Sequence, residues 1–553
     1  MFNKDKNNYL FLLVIFFSIF AIMLPFKDQV FSEDFAYAQS VRHFITTGDL
    51  KVSERVAPTS ITHIVWGSAV SKIFGFSLAN LHMSTVLLIP FLLIALYELF
   101  KLTGTTKEKS FIYTLFFLSI PWILQLSYTF MTDISFLLFE VFSLFFYLKG
   151  LKRGEPKSLI AGSIFASFAF LTRQLGIALP LAALITLTFD KKYAQQKFKY
   201  IILATAIPIL TVALYLLWLS FPGNKTIAQY GVLQEYKRAY FNSLRLNFII
   251  GNFATILHRT LNFVSQAQVL FFPIIALLFF TNRKKVLKIV GKNWSSFTIS
   301  TLVAFAIYGL DVINFRKDYT VGFPLLIYQY ESLIPIPWAH IWKYIVLISI
   351  PIISSTIYLQ RNNIFKTSNF QRFIFLTFFF LAIPTVIHVA SWDEYIIPFL
   401  PILMLWIATL TKKFALNAKF SLLVVLILIL DSLQMTKLRY NESGLIWEKA
   451  MKLVNTGTSP TEIDANNNFG WYYWFYYEKL ASDSIKSNVG DKEKSNYGFV
   501  ITKPNFPKYR IYTPLMIGYS GLDTTNYKSQ KIPARSLFVK SEIYFMQLNQ
   551  DVK

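Results

Sequence analysis

The chain has 553 residues, of which 54% are hydrophobic and 18% aromatic, whereas soluble domains average about 45–50% apolar residues, so the composition predicts a polytopic membrane protein. The net charge of +24 comes from short Lys and Arg clusters between apolar runs, which favours anionic lipid headgroups and membrane topology over nucleic acid as its explanation. No cysteine is present, which excludes disulfides, thiolate metal sites and cysteine nucleophiles.

Apolar runs long enough to cross a bilayer recur along most of the chain. About 20 apolar residues cover roughly 30 Å of hydrocarbon. This length predicts thirteen spans: 9–26, 78–100, 110–127, 133–148, 158–172, 174–189, 200–221, 263–281, 295–314, 338–359, 373–390, 395–411 and 420–436. Because several runs are short, twelve to fourteen spans are compatible with the pattern. The first run follows Lys4 and Lys6 but lacks a small-residue cleavage site, so we predict a retained span and not a signal peptide.

The charges between the runs orient the spans. Lys and Arg accumulate in short cytoplasmic loops. With a cytoplasmic N-terminus, every predicted inner connection is basic, whereas the short outer connections 126–132 and 391–394 contain no Lys or Arg. The inner clusters include Lys101, Lys107 and Lys109; Lys149, Lys152, Arg153 and Lys157; Arg283, Lys284, Lys285, Lys288 and Lys292; and Lys412, Lys413 and Lys419. The sequence therefore predicts a multi-pass protein whose long loops 27–77, 222–262 and 315–337 are extracytoplasmic.

The first outer loop, residues 27–77, contains two pieces with helical apolar spacing. These are Asp34–Thr47, which Gly48 is expected to end as a C′ residue, and Ile61–Phe74. We expect both helices to lie along the membrane surface as a shelf over the bundle.

After the last span the chain becomes polar at Lys437. We therefore predict two domains, a membrane bundle over 1–436 and a small extracytoplasmic α/β domain over 437–553, with strands at Tyr497–Thr502 and Leu537–Leu548. The predicted fold is mainly α, a polytopic helix bundle with amphipathic outer-loop helices. No internal repeat is visible, which removes one indication of a transporter.

Glu33 and Asp34 are adjacent acids at the start of the first outer helix. A first-turn role is one interpretation, because acids are favoured at the positive end of a helix and Ser32 is a suitable N-cap. The other interpretation is catalytic: one acid accepts a proton from an acceptor hydroxyl. Tyr37 lies on the same helical face as the pair.

Two further acids belong to the fourth span. Asp133 stands at its outer mouth, where the alternatives are a functional carboxylate and an N-cap. Glu140 is seven residues deeper on the same face, where it either faces a cavity or makes an interhelical hydrogen bond as the neutral acid.

Arg173 interrupts apolar sequence near the outer face. Arg suits bidentate capture of a phosphate, and snorkelling of its side chain to the interface is the alternative. Weaker outer cations, better explained as headgroup contacts, are Arg55, Lys72, Arg259, Arg316 and Lys317. The aromatic run 471–477 either stacks on sugars or belongs to an interface belt or buried strand. The six His residues show no metal-ligand spacing and no Gly-rich phosphate loop is present, so we predict no metal and no cofactor.

Several short motifs together point to a family. They are Glu33-Asp34-Phe35-Ala36-Tyr37, Thr47-Gly48-Asp49-Leu50, Ala57-Pro58-Thr59-Ser60, Trp66-Gly67, Met131-Thr132-Asp133 and Leu171-Thr172-Arg173-Gln174. The pattern resembles the first outer loop and following segments of bacterial GT-C glycosyltransferases, the relatives of protein O-mannosyltransferases and of the lipid A aminoarabinose transferase. The resemblance covers roughly the first 190 residues by motif and the remainder by topology.

This resemblance implies an enzyme of the bacterial plasma membrane that transfers a sugar from a polyprenyl-phosphate donor to a cell-envelope glycan, lipid or protein on the outer side. It implies that Glu33 or Asp34 is the base, with Asp34 slightly favoured, and that Asp133 is a second acid. Arg173 occupies the position of a donor-side cation, and we predict that Gln174 and Tyr37 bind the donor with it. Many relatives have Lys where this chain has Ala57, so the phosphate contact here would come from Arg55, Arg173 or Arg259.

Two other functions stay open from the sequence. A transporter or lipid-linked glycan flippase would use the intramembrane acids Glu140, Asp311 and Asp431. A non-catalytic assembly subunit would bind glycans through its outer domain and tolerate the loss of the loop acids.

Overall fold

The computed structural model describes most of the first 221 residues and parts of the rest. The described residues are 6–24, 27–31, 34–53, 56, 59–190, 194–221, 224, 253–292, 294–295, 298–299, 301–302, 368–387, 393–412, 414–465, 509–512, 527–535 and 540–548. Several predictions lie outside this part of the chain: Glu33, Arg55, Arg316, Lys317, Asp311, the aromatic run 471–477, the strand 497–502, the span 338–359 and most of the span 295–314.

The described residues are mainly helical. The helices are α1 (Lys6–Met23), α2 (Asp34–Thr47), α3 (Ile61–Phe74), α4 (Leu78–Val86), α5 (Ile89–Leu102), α6 (Lys107–Leu118), α7 (Pro121–Ser127), α8 (Thr132–Arg153), α9 (Pro156–Phe170), α10 (Ala178–Thr188), α11 (Lys197–Ser220), α12 (Phe253–Thr281), α13 (Arg283–Lys292), α14 (Asn369–Ile387), α15 (Leu400–Leu410) and α16 (Ala418–Asn455). The strands are β1 (Ile463–Ala465), β2 (Tyr509–Tyr512), β3 (Tyr527–Arg535) and β4 (Lys540–Leu548).

The two outer-loop helices confirm their predicted bounds. Helix α2 covers Asp34–Thr47 and α3 covers Ile61–Phe74. Gly48 follows α2 with φ 80°, a left-handed conformation that glycine adopts without steric cost, and its N–H bonds to Phe44 O at 3.0 Å.

Five helical segments within the described residues are long and apolar enough to cross a membrane: Lys6–Met23, Leu78–Leu102, Thr132–Arg153, Ala194–Ser220 and Ala418–Asn455. A sixth is formed if the bent pair α6–α7 counts as one span. Shorter apolar helices occupy five other predicted spans, at Pro156–Phe170, Gln174–Thr188, Leu270–Thr281, Asn369–Thr385 and Tyr395–Leu410. The membrane class and the helical architecture are thus confirmed.

The predicted span 110–127 is not one straight helix. Helices α6 and α7 meet at an angle of 66° around Ser119 and Ile120. Ile120 has φ −67° and ψ 122°, which is β-region backbone. The cause is Pro121, because a proline ring disfavours helical geometry in the residue before it.

Burial separates the central helices from the peripheral ones. In the apolar window of Thr132–Arg153, 72% of the residues are buried, whereas the share is 22% for Lys6–Met23 and for Ala194–Ser220. Helix α8 therefore lies in the middle of the bundle, whereas α1 and α11 expose large apolar side chains on the outside of it. Fully buried tyrosines of the core still find polar partners, as expected: Tyr113 OH lies 2.8 Å from Thr411 Oγ1, and Tyr147 OH donates to Ala204 O at 2.6 Å.

Polar contacts gather the predicted inner loops at one end of the bundle. Lys152 Nζ donates to Leu102 O at 2.7 Å and Lys109 Nζ to Lys412 O at 3.0 Å. Asn282 Nδ2 donates to Ala415 O at 2.9 Å. The predicted outer segments meet elsewhere: Thr62 N donates to Leu171 O at 3.0 Å, and Lys437 Nζ to Met23 O at 2.8 Å. In these contacts, predicted inner loops bind one another and predicted outer segments bind one another.

The C-terminal sheet has the order β1-β2-β4-β3, with β1 parallel to β2 and the other pairs antiparallel. It packs against α16 through buried Ile463, Ile511 and Ile543. The predicted strand 537–548 corresponds to β4. Helix α16 runs without a break through Lys437 to Asn455, so the division of the chain at 437 remains a prediction.

Candidate active site

Asp133 lies in the first turn of α8. The helix begins at Thr132, and Met131 occupies the N-cap position, so Asp133 is not itself the cap. Its side chain is 0% exposed, and its Oδ2 lies 2.8 Å from Nη2 of Arg173. A buried carboxylate needs such compensation, because an unpaired charge in a low-dielectric interior is costly.

Arg173 follows the C-terminus of α9 in an extended conformation, with φ −147° and ψ 138°. Its Nε donates to Thr132 Oγ1 at 2.8 Å, so one edge of the guanidinium group is bound to the start of α8. The side chain keeps 15% of its surface exposed. The cation can thus be reached from outside the fold, whereas its carboxylate partner cannot.

Gly176 explains why the chain turns sharply after Arg173. A 3-10 turn covers Gln174–Ile177, and Gly176 N donates to Arg173 O at 2.9 Å. A Cβ at position 176 would lie 2.3 Å from Phe170 N, which is backbone. Only glycine permits this close approach, and the approach fixes where Arg173 leaves α9. Gln174, the next residue, is exposed.

Tyr37 connects α2 to the same place. Its hydroxyl lies 3.5 Å from Thr132 Oγ1, and its ring meets the His63 ring edge-on at 5.5 Å between centroids. The side chain is buried. Thus three separated parts of the chain, in α2, at the start of α8 and after α9, converge.

His63, on α3, completes this group. Its Nε2 lies 3.2 Å from Phe130 O and its Nδ1 2.8 Å from Ser135 Oγ. Burial, with a smaller contribution from the charge of Arg173, lowers the pKa of His63 to about 4, although the Phe130 carbonyl acts in the opposite direction. The ring is therefore neutral at pH 7. We call Tyr37, His63, Thr132, Asp133 and Arg173 the polar cluster.

A second acidic site lies at the start of α2. Asp34 is fully buried and accepts from Phe31 N, at 3.1 Å to Oδ1 and 3.3 Å to Oδ2. Its Oδ2 lies 2.6 Å from Nε2 of His82, which is also 0% exposed. We call this the Asp34–His82 pair. Asp34 thus serves the helix start and also has a histidine partner 48 residues away.

The sequence reasoning selected Asp34, Tyr37, Asp133 and Arg173 but missed His63, Thr132 and His82. Each missed residue has its partner 41 to 72 positions away, and no motif of metal-ligand or triad type marks it. Arg259 lies on α12 and is partly buried. Within the described part of the chain, no group of three His, Asp or Glu side chains could hold a metal ion. The roles of all these residues remain predictions.

Comparison with known proteins supports the predicted resemblance over one segment. Residues 63–218 match the sequence model of a family described as dolichyl-phosphate-mannose-protein mannosyltransferase. The segment contains His63, His82, Thr132, Asp133 and Arg173, whereas Asp34 and Tyr37 precede it. No curated protein matches the chain.

Two solved structures are among those that match the chain. ArnT from Cupriavidus metallidurans, bound to undecaprenyl phosphate, is 11% identical with a TM-score of 0.41, and the alignment covers 97% of both chains. The oligosaccharyltransferase AglB from Archaeoglobus fulgidus, in complex with an inhibitory peptide and a dolichol-phosphate, is 15% identical with a TM-score of 0.45, covering 100% of this chain and 75% of that one.

Proposed function

We propose, from the family match over residues 63–218, that this chain is a glycosyltransferase of the bacterial plasma membrane. It moves a sugar from a polyprenyl-phosphate donor to a cell-envelope glycan, lipid or protein on the outer side. The observation that carries the proposal is the Asp133–Arg173 ion pair, at 2.8 Å, inside the matched segment and at the end of the central helix α8.

Arg173 is the proposed contact for the donor phosphate. The leaving polyprenyl phosphate is an anion, so fixed cations next to it stabilise the charge that develops as the sugar leaves. Asp133 and Thr132 hold the guanidinium group in one orientation before the donor arrives, and the donor then need not order a flexible side chain. The 15% exposure of Arg173 leaves it accessible.

The proposed base is Asp34 or Glu33. A base must come within hydrogen-bond reach of the acceptor hydroxyl. Asp34 is 0% exposed and accepts from Phe31 N and His82, so neighbouring side chains would have to move before an acceptor hydroxyl could reach the remaining lone pairs of the carboxylate. Glu33 is adjacent in sequence, and the choice between the two acids rests on their separate substitution.

The proposed orientation places the N-terminus in the cytoplasm, and the polar cluster and the C-terminal domain outside. The separation of loops supports it: basic loops containing Lys109, Lys152 and Lys412 meet at one end of the bundle. Thr62 and Leu171, next to the polar cluster, meet in the other class of loops. Basic loops favour the cytoplasmic side.

The test uses purified chain in detergent with a radiolabelled polyprenyl-phosphate sugar and a cell-envelope extract. Wild type is expected to release polyprenyl phosphate and to label the acceptor. Substitution of the acid that serves as base, by Asp34→Asn or by Glu33→Gln, is expected to lower transfer on the order of 100-fold or more. Asp49→Asn is the matched control, because Asp49 is an exposed acid of the same loop. Arg173→Ala should raise the apparent KM for the donor.

Three outcomes contradict the proposal. Wild type that releases no polyprenyl phosphate would remove the enzymatic function. Full transfer by both acid variants would leave the loop without a base, and an unchanged donor KM in Arg173→Ala would return Arg173 to a snorkelling role. Movement of labelled lipid-linked glycan across vesicles without release of the carrier would favour a flippase.

A further inference from the structure

His82 lies on α4 and faces into the protein. Helix α4 covers Leu78–Val86, and the surfaces of both His82 and Asp34 are completely buried. The Nε2 to Oδ2 distance of 2.6 Å is at the short end for a nitrogen–oxygen hydrogen bond, as expected when the acceptor is a carboxylate. A histidine at this position therefore has a specific partner.

Helix α4 binds the segment before Asp34 at two points. Asp28 Oδ1 accepts from Leu78 N at 2.6 Å and from Ala79 N at 3.2 Å, at the start of α4. One turn further along α4, His82 binds Asp34. Two acids six positions apart are thus attached to one helix, and this fixes the backbone that leads into α2.

Among the described residues, Asp34 is the one hydrogen-bond partner of the His82 ring. Nδ1 is buried and has no hydrogen-bond partner within the described residues. An unsatisfied buried polar atom costs roughly 1–3 kcal/mol. An apolar side chain of similar size would avoid this cost, so packing alone does not account for a histidine here. The bond to Asp34 does.

We propose that His82 is a positioning residue for Asp34 in the transfer reaction, an inference that rests on the proposed function. His82 donates from Nε2 and fixes Oδ2, while Phe31 N fixes Oδ1. Each carboxylate oxygen has two lone-pair directions, so these bonds orient the group and leave acceptor capacity for a substrate hydroxyl. Removal of His82 then lowers kcat through a misplaced Asp34 and leaves donor binding intact.

The experiment compares His82→Ala, His82→Gln and His43→Ala in the same transfer assay. Glutamine can present an N–H to Asp34, and alanine cannot. His43, on α2, is a matched control because its Nε2 is also buried without a partner among the described residues. We expect His82→Ala to lower kcat on the order of 10-fold or more with an unchanged donor KM, because misplacing a reacting group by about 1 Å can cost on the order of 100-fold. We expect His82→Gln to recover most of kcat, and His43→Ala to resemble wild type.

A double variant tests whether His82 acts through Asp34. If it does, Asp34→Asn with His82→Ala transfers no worse than Asp34→Asn alone, since residues that act as one unit are not additive. Thermal unfolding in detergent shows whether each variant is folded. If His82→Ala does not fold, the double variant is made with His82→Gln instead.

The outcomes separate this inference from the proposed function. Wild type that releases no polyprenyl phosphate overturns both. An active wild type with full kcat in His82→Ala overturns only the role of His82. A folded His82→Gln that is as slow as His82→Ala also overturns the role of His82. The same holds if His82→Ala raises the donor KM and leaves kcat unchanged.

Discussion

Acidification is expected to weaken the packing of α3 against α8 through protonation of His63. Burial, the largest cause, lowers the pKa of His63 to about 4 in the folded chain from 6.5. Its contacts fit a neutral ring, with Nε2 donating to Phe130 O and Nδ1 accepting from Ser135. A proton added to the buried ring would place a second cation close to Arg173.

The size of the effect follows from the two pKa values. Because the folded pKa lies below the unfolded value, the unfolded chain binds the proton first, and stability is lost as the pH falls from 6.5 toward 4. The values differ by about 2.5, and one pKa unit equals about 1.4 kcal/mol, so the full loss is about 3 kcal/mol. About 2 kcal/mol of this falls between pH 6.5 and 4.5.

The assay is thermal unfolding in detergent from pH 4.5 to 7.5, for wild type and for His63→Gln. Glutamine can donate to Phe130 O but does not titrate. The variant should be less stable than wild type at pH 7.5. The difference in the free energy of unfolding between the two proteins should be smaller by about 2 kcal/mol at pH 4.5, which corresponds to roughly 2 °C in Tm for a chain of 553 residues. The carboxyl groups titrate in both proteins and cancel in the difference. Parallel curves for the two proteins would refute the reasoning.

Three further predictions concern single positions. A Cβ at Gly67 would lie 2.3 Å from Phe130 Cζ, so Gly67→Ala should cost about 1–3 kcal/mol of stability by overpacking, read as a lower Tm. Gly176→Ala meets backbone instead of a movable side chain, so we expect a larger loss of Tm together with a raised donor KM, because Arg173 moves. Both oxygens of Glu140 are buried without a partner among the described residues, so Glu140→Met should raise or preserve Tm; a simultaneous loss of activity would show that Glu140 serves the reaction.

Local sequence signals were sufficient to predict the bounds of the outer-loop helices, but the length criterion did not predict the bend in the span 110–127. The bounds of α2 and α3 follow from apolar spacing and from Gly48, which are properties of neighbouring residues. The length criterion counted 110–127 as one span, because hydrophobicity shows that a run of residues is apolar but not that the helix formed by it is bent. The signal for the bend was present in Pro121, since proline restricts the residue before it.

The C-terminal strands were harder to predict. Strand β3 contains Pro533, two Lys and one Gln, and it lacks the alternation of apolar and polar residues that indicates a strand. It is stabilised by its pairing with β4 over nine residues. Such pairing is a tertiary property, so β-propensity alone gave no indication of it.

The candidate site shows the same division between local and long-range information. Topology placed Asp133 and Arg173 on one side of the membrane, but their 2.8 Å contact depends on the packing of α8 against α9 and on the turn at Gly176. His63 and His82 carried no local signal, because a histidine on an apolar helix has the same sequence appearance whether or not a distant carboxylate meets it.

Asp34 illustrates why a structural and a catalytic role must be separated by stability as well as activity. Asparagine at position 34 can accept from Phe31 N, but its amide would face the Nε2 donor of His82. The histidine can adapt only by moving its proton to Nδ1, where a buried N–H would have no acceptor in the described structure. Glutamine at 82 can instead turn its carbonyl toward the new amide. Asp34→Asn with His82→Gln should therefore regain Tm without regaining transfer; if transfer returned with Tm, Asp34 would be a structural acid of the helix start and Glu33 the base.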